Sequence, residues 1–444
     1  MLRLRLCMTF TFIADNLFPM ESDTLTSAPT VRLENVERAA RTLDGVIYNT
    51  LLQHNLGLSE AYGAQVYLKR EDLQVVRSYK IRGAYNKMAG LSREQQQRAV
   101  VCASAGNHAQ GVAYACQLLG IRGHIFMPAQ TPAQKVNKVR LFGKDQVEVV
   151  LTGATFDDTY QAAKDFCNQR GSTFVHPFDD LAIVEGQATV GLEILRDAPA
   201  SIDYCFMPIG GGGLASGVGS VFRQLSPHTK LIGVQPLGAP SMQRAIQTGL
   251  RQPLEHIESF VDGAAVKCPG ELTFELCREL LDEVALVPEG QVCEDLLKMY
   301  NEEGIVLEPA GTLSISALHQ YADQIRGKTV VCVLSGSNND ITRMEDIKER
   351  AMRHQGRKHY FLVTFNQKPG ALRRFVNHVL REGEGDDIIQ FQYIKKNNKE
   401  KGPVFIGLEV QRPHDIEGIQ LRMAAEGFGY EYLNGKQDFL SLLV

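Results

Sequence analysis

The stretch SYKIRGA, residues 78–84, sets one lysine, Lys80, beside an aromatic and ahead of Gly83. It follows the strand-like run Val66-Tyr67-Leu68-Lys69-Arg70 and the polar turn Glu71-Asp72-Leu73-Gln74. A surface lysine needs no such setting. A lysine at the mouth of a strand-to-helix turn can be held unprotonated by burial and used as a nucleophile or a base. Further along, MPIGGGGLASG places Gly210, Gly211, Gly212 and Gly213, then Leu214, between an apolar strand and a helix expected over 214–225. Glycines allow positive φ and a close approach of backbone to an anion, and the N–H groups that open a helix hold phosphate. A tight turn without ligand is the alternative, and four consecutive glycines weigh against it. No Gly-Lys-Ser/Thr ending follows, so this is not a Walker loop. Gly210, Gly212 and Ala215 fit G-x-G-x-x-A, but that pattern needs an acid about 20 residues on for a ribose, and Gln235 stands there. A small monophosphate fits better than a dinucleotide.

Two further turns carry polar groups at strand ends. SAGNHAQG, residues 104–111, offers Ser104, Asn107 and Gln110 around glycines at a helix start. Such a turn presents N–H groups to a carboxylate and an amide to a phenolic oxygen. Helix capping is the competing explanation, but capping alone does not require Gly106 or the run of small residues. His108 taken alone reads as a helix or core histidine. In LSGSNND, residues 334–340, Ser335 ends an apolar strand, and a helix cap explains it equally well.

The elements that must position these residues alternate. Short apolar runs at 99–102, 123–127, 147–151, 204–207, 231–234 and 330–334 are separated by helix candidates such as 108–120 and 156–170. Strand and helix in alternation predict a parallel sheet covered on both faces, with ligands at the carboxyl ends of its strands. The charged stretch 345–358 reads as a connecting helix or linker. After it come a strand at 361–365, a loop at 366–370 and a helical stripe of Leu372, Phe375, Val376, Val379 and Leu380. Strands at 388–394 and 404–410 joined by the basic hairpin KKNNKEKGP, a helix at 416–425 and a last strand complete a βαββαβ order, a small α+β sandwich. The expected layout is an N-terminal extension (1–30), a catalytic domain (31–343), a linker (344–357) and a small domain (358–444).

Composition narrows the function. The chain of 444 residues exceeds one compact core, so two or three domains are expected. A net charge of -4 gives no electrostatic case for nucleic acid or an acidic membrane surface. The nine scattered cysteines form no CxxC pair and no Cys/His metal spacing, which predicts reduced thiols, no metal and a cytosol-like compartment. The first 19 residues carry Arg3 and Arg5 and then an apolar run too short to span a membrane. They are expected to be a disordered or spurious extension, with an organellar transit segment as the minority reading.

The ordered set SYKIRGA, SAGNHAQG, GGGGL, LEPAG and LSGSN closely resembles the pyridoxal-phosphate enzymes of the tryptophan-synthase-β fold (fold type II), and within them the biosynthetic threonine dehydratases. The tail from Lys358, with FNQKPGAL at its first strand–helix turn, resembles their ACT-like regulatory domain, present once. The resemblance implies Lys80 as both the covalent anchor of pyridoxal 5'-phosphate and the catalytic base, with Tyr79 and Ile81 as its dry flank. It puts the phosphate on Gly210, Gly211, Gly212, Gly213 and Leu214, the phenolic oxygen at Asn107 and the pyridine nitrogen at Ser335. Ser104, Ala105, Gly106 and His108 would surround the substrate carboxylate. It further implies L-threonine as substrate, 2-oxobutanoate and ammonia as products, L-isoleucine as effector, and a homo-oligomer, dimer or tetramer.

Relatives of the same fold are weighed on the same residues. The sulfhydrylases carry a TSGNTG-like loop where this chain has SAGNHAQG. Serine racemases use a second serine as the opposite-face base and an acid after the glycine loop for a divalent ion, where this chain has Ala105 and Gln235. A serine dehydratase or racemase-like enzyme and a non-enzymatic amino-acid sensor remain the alternatives.

Overall fold

The computed structural model describes residues 30–380, 386–393 and 400–436. The readings made for residues 1–29, for 394–399 of the basic hairpin and for the last residues, 437–444, lie outside that set.

The alternating runs form two sheets. The larger has the order Leu52–His54, Gln65–Arg70, Thr329–Leu334, Tyr204–Pro208, Lys230–Pro236, Glu283–Val287. Its first pair is antiparallel and the others are parallel. The second, Val147–Leu151, Gly123–Met127, Val100–Ala103, Thr173–Phe174, is parallel throughout. The strands Tyr204–Pro208 and Val100–Ala103 are buried along their whole length, because helices cover both faces and leave no wet side for a polar residue.

Three helices set the position of Lys80. The helix Lys80–Ala89 packs between Asn107–Leu119 and Leu181–Asp197. Glycines let them come this close: a Cβ at Gly186 would lie 2.6 Å from Gly83 Cα, and one at Gly111 would lie 3.2 Å from the carbonyl carbon of Lys80. Beneath this contact lies a buried ion cluster. Arg82 meets Glu71 at 2.7 Å and Glu193 at 2.6 Å, and Lys69 meets the same Glu193 at 2.5 Å. Two cations and two anions compensate one another there, so none is left as a bare buried charge.

The charged stretch after the large sheets is the helix Met344–His354, and its Ile347 and Ala351 belong to the large apolar core. The C-terminal unit is a four-stranded antiparallel sheet, Asp387–Tyr393, Lys401–Glu409, Lys358–Asn366, Gly429–Tyr432, with the order βαββαβ. Phe361, Phe365, Phe375, Ile406 and Ile419 form its core. Its first helix departs from a regular stripe: Ala371–Arg374 is α-helical, but Phe375–Leu380 is a π-turn. The wider i→i+5 turn rotates successive side chains, so Phe375, Val379 and Leu380 are buried while Leu372 and Val376 are exposed. Among the described residues, no helix is long and apolar enough to cross a membrane.

Candidate active site

Lys80 opens its helix, and the turn before it is pinned to the end of the central strand Thr329–Leu334. Tyr79 N–H donates to Ser335 O at 3.2 Å, Ser337 N–H to Arg77 O at 2.9 Å, and Asn338 Nδ2 to Val76 O at 2.9 Å. Arg77 has φ 61, a left-handed conformation that a non-glycine residue keeps only when its surroundings hold it. Lys80 Nζ donates to Pro177 O at 2.9 Å. Burial pulls its ammonium down to about 8, against the opposing pull of the Glu308 carboxylate.

The glycine loop lies on the other side of the Pro177–Phe178 segment. A Cβ at Gly211 would sit 2.3 Å from the Phe178 ring, and one at Gly213 would sit 3.1 Å from Phe178 Cβ. Gly212 has φ 99, which only glycine adopts freely. Thr273 Oγ1 fixes the loop by donating to Gly211 O at 2.5 Å. Among the described residues, the N–H groups of Gly210, Gly211, Gly212 and Gly213 donate to no protein acceptor, although all but Gly210 are buried. Gly212 and Gly213 open the helix Gly213–Leu225 and Gly210 and Gly211 lead into it, and orphaned donors at such a turn are what a bound phosphate satisfies. This observation shows that the chain fits a phosphorylated cofactor.

The helix Asn107–Leu119 has Gly106 at its N-cap and no side-chain cap, so capping does not account for the polar residues there. Asn107 Nδ2 donates to Glu308 Oε1 at 2.6 Å, and its Oδ1 accepts from Asn338 Nδ2 at 2.6 Å. Ser104 Oγ accepts from Gly106 N–H at 3.2 Å, and Ala105 packs against the apolar cluster behind the turn. His108 is buried with Nε2 on Val175 O at 2.9 Å. Burial first, then the charge of Lys80, push its ring down to about 3, so it is neutral and turned into the core. Only its main chain faces the turn as expected of a substrate contact. Ser335 Oγ is buried and makes one long bond, 3.4 Å to Ala310 O, which leaves the hydroxyl open to a better acceptor.

The structure ties these residues together through shared neighbours, Lys80 and the glycine loop by Pro177–Phe178, Lys80 and Ser335 by the Tyr79 N–H bond, and Asn107 and the lysine turn by Asn338, together with a residue that sequence reasoning did not single out. Glu308 is buried, accepts from Asn107 Nδ2 and from Asn338 N–H at 3.2 Å, and is pushed up to about 7 by burial and then by the Asp262 charge. Its signal lay in the LEPAG motif. Gln235, where a ribose or metal acid was sought, instead caps the helix Ser241–Thr248 by accepting from Met242 and Gln243 N–H at 3.0 and 2.9 Å. Among the described residues, no group of three His, Cys, Asp or Glu side chains could hold a metal ion.

Comparison with known proteins bears on the same residues. The family model for pyridoxal-phosphate dependent enzymes matches residues 43–336, and that for the C-terminal regulatory domain of threonine dehydratase matches 349–443. The biosynthetic L-threonine dehydratases of Halalkalibacterium halodurans and Bacillus subtilis are each 50% identical over 414 residues, 93% of this chain and 99% and 98% of theirs. Among solved structures, the processed form of threonine deaminase isoform 2 from Solanum lycopersicum superposes with a TM-score of 0.68 at 38% identity, covering 73% of this chain and 90% of that one. With both family models matched in order and a relative aligned over nearly its whole length, this chain belongs to the pyridoxal-phosphate-dependent enzymes, in the threonine dehydratase branch that carries a C-terminal regulatory domain.

Proposed function

We propose that the chain converts L-threonine to 2-oxobutanoate and ammonia, with Lys80 as anchor of the cofactor and as base. The observation that carries this reading is a half-buried lysine, its ammonium pulled down to about 8, with the Pro177–Phe178 segment between it and four orphaned loop donors. When bound, pyridoxal phosphate supplies the electron sink that makes the Cα proton of an amino acid removable. The chain's own residues do the rest. Gly210 to Gly213 hold the phosphate. Asn107 Nδ2 carries a second hydrogen for the phenolic oxygen while its first stays on Glu308. Ser335 Oγ meets the pyridine nitrogen with a hydroxyl, which cannot balance a full positive charge, so the ring nitrogen stays largely neutral. The uncapped N–H groups of Asn107 and His108, with Ser104, receive the substrate carboxylate. With cofactor and substrate in place, Lys80 Nζ would serve as the base that takes the Cα proton, and the β-hydroxyl would leave as water once it gains a proton. Ala105, where the racemases have their second serine, cannot accept a proton, which favours elimination over racemisation.

The C-terminal domain in this reading binds a branched amino acid, L-isoleucine, and the active form is a homo-oligomer, a dimer or tetramer, in the cytoplasm. The deciding experiment is a keto-acid assay with threonine and serine side by side. Preferential formation of 2-oxobutanoate supports the assignment. Pyruvate from serine at a higher kcat/KM moves the chain to the serine dehydratases, and no keto acid from either moves it to the sensors.

A further inference from the structure

One segment of irregular backbone, residues 258–265, joins parts of the molecule that are far apart in sequence. Its inner side presses on the glycine loop: a Cβ at Gly210 would lie 3.2 Å from both Ala264 Cα and Gly263 O. A Cβ at Gly263 would lie 2.8 Å from Ala310 Cβ and 3.6 Å from Glu308 Oε1. Gly263 and Ala264 are therefore wedged between the phosphate loop and the carboxyl that holds Asn107. Phe260, Val261 and Ala264 are buried in the same apolar cluster as Ala310 and Leu334. The turn closes on itself, with Ala264 and Ala265 N–H both donating to Val261 O, at 2.9 and 2.8 Å.

The outer side is held by the helix Met344–His354 and its N-cap. Arg350 pairs with Glu258 at 2.5 Å. The guanidinium groups of Arg343 and Arg350 lie 4.9 and 4.1 Å from the Phe260 ring centroid, and Arg343 also donates to Phe260 O at 2.6 Å. Asp262 is shared: Arg343 lies 3.5 Å from one oxygen, and Lys135, from the second sheet's side of the molecule, lies 3.0 Å from the other. The far end of the same helix is tied to the C-terminal domain. Arg353 donates to Asn434 O at 3.0 Å, and Asn434 in turn bonds Lys358 O at 2.7 Å and Tyr360 N–H at 2.8 Å.

We propose that residues 258–265 are a positioning strap, through which the C-terminal domain and its helix set the phosphate loop and Glu308. A packed segment gripped from outside by two arginines has little freedom to move without carrying Gly263 and Ala264 with it. Phe260 and Asp262 are thus positioning residues: they touch neither cofactor nor substrate and act through Gly210 and Glu308. Regulation requires only a differential hold between two states, and stacking and ion pairs at a half-exposed seam supply holds of that modest size. The inference rests on the reading of the glycine loop as the phosphate seat.

The test uses the full-length chain loaded with pyridoxal phosphate. Arg350→Ala should speed hydrogen exchange not only at 258–260 but also at 261–265 and 210–214, which Arg350 does not touch. It should raise the pyridoxal phosphate needed for half-saturation about tenfold, a coupling of ordinary size. Arg350→Lys, which keeps a cation over Phe260 and a partner for Glu258, should restore most of both. Asn434→Ala keeps the main-chain oxygen that Arg353 meets but removes the side-chain ties to Lys358 O and Tyr360 N–H that hold it in place, so it should act in the same direction. Arg343→Ala and Lys135→Ala share Asp262 without touching each other, so their effects on kcat/KM should combine non-additively. Faster exchange confined to 258–260, or strictly additive effects, would overturn the strap. A wild-type chain that binds the cofactor yet leaves threonine unchanged would sink the dehydratase reading alone, because the exchange measurement does not depend on turnover.

Discussion

Asn107 and Glu308 are 201 residues apart in sequence, and Asn107 Nδ2 donates to Glu308 Oε1 at 2.6 Å in a part-buried contact. The pairing places a carboxyl where burial pushes it up to about 7 from an ordinary 4.5. Between those two values the folded chain keeps a proton that the unfolded chain has lost. Stability contributed by this group is therefore greatest below the unfolded value and is lost as pH rises towards 7.

Glu308→Gln removes that proton exchange. Denaturant midpoints taken at about pH 5 and about pH 8 should fall more steeply for wild type than for the variant between the two. Parallel curves would show that the carboxyl titrates normally. The variant should also lose turnover at any pH, because its amide can meet the Asn107 amide nitrogen only by turning its oxygen towards it and its NH₂ towards Asn338 N–H.

Lys80→Ala should abolish keto-acid formation by about 10⁴-fold or more if, as proposed, one side chain is both tether and base. Its thermal midpoint should be retained, because removing a lysine that burial already disfavours leaves no charge behind. A folded variant with a tenth of the activity would show that another base does the work.

Gly212→Ala forces a side chain into a left-handed conformation at φ 99, with its Cβ 2.7 Å from Met242 Cε and 2.9 Å from Thr273 Cβ. Backbone strain of about 1–3 kcal/mol falls on the loop proposed to hold the phosphate. Pyridoxal phosphate titration should then show affinity reduced about tenfold or more, with unchanged kcat per bound cofactor if the loop only binds. Unaltered affinity would place the phosphate elsewhere.

Ser335→Asp supplies a charge partner to the ring nitrogen in place of a hydroxyl held by one 3.4 Å bond. The nitrogen should protonate, elimination should slow, and transamination should rise as a share of product. The ratio of the two products, measured together, is the readout, and an unchanged ratio removes Ser335 from the ring.

Local chemistry was legible in the sequence because it is written in short windows. The lysine at its turn, the glycine loop and the βαββαβ order of the tail all follow from neighbours within ten residues or so. What was not legible depends on distant parts of the chain. The apolar runs at 123–127 and 204–207 look alike, yet they lie in different sheets, because partner choice is decided by packing far along the chain. The stretch 345–358 reads as a charged connector, and only its contacts show that Ile347 and Ala351 complete a core. Glu308 stood in a motif, but a glutamate's role depends on being buried beside Asn107 and Asp262 rather than on its neighbours in sequence. The π-turn at Phe375–Leu380 changes the spacing on which a helical stripe is read.

The cluster of Lys69, Arg82, Glu71 and Glu193 also restricts how this chain can diverge. Arg82→Met alone should cost about 3–5 kcal/mol, since it leaves Glu71 without its guanidinium and gives Glu193 only Lys69 to answer it. Replacing all four by well-packed apolar residues should be close to neutral. Every path of single substitutions between those two sequences passes through intermediates with an odd charge sealed under the Lys80 helix. Drift should therefore stall at these four positions, even though the chemistry never touches them. Where it succeeds, substitutions should arrive as matched pairs, a carboxylate leaving with its cation.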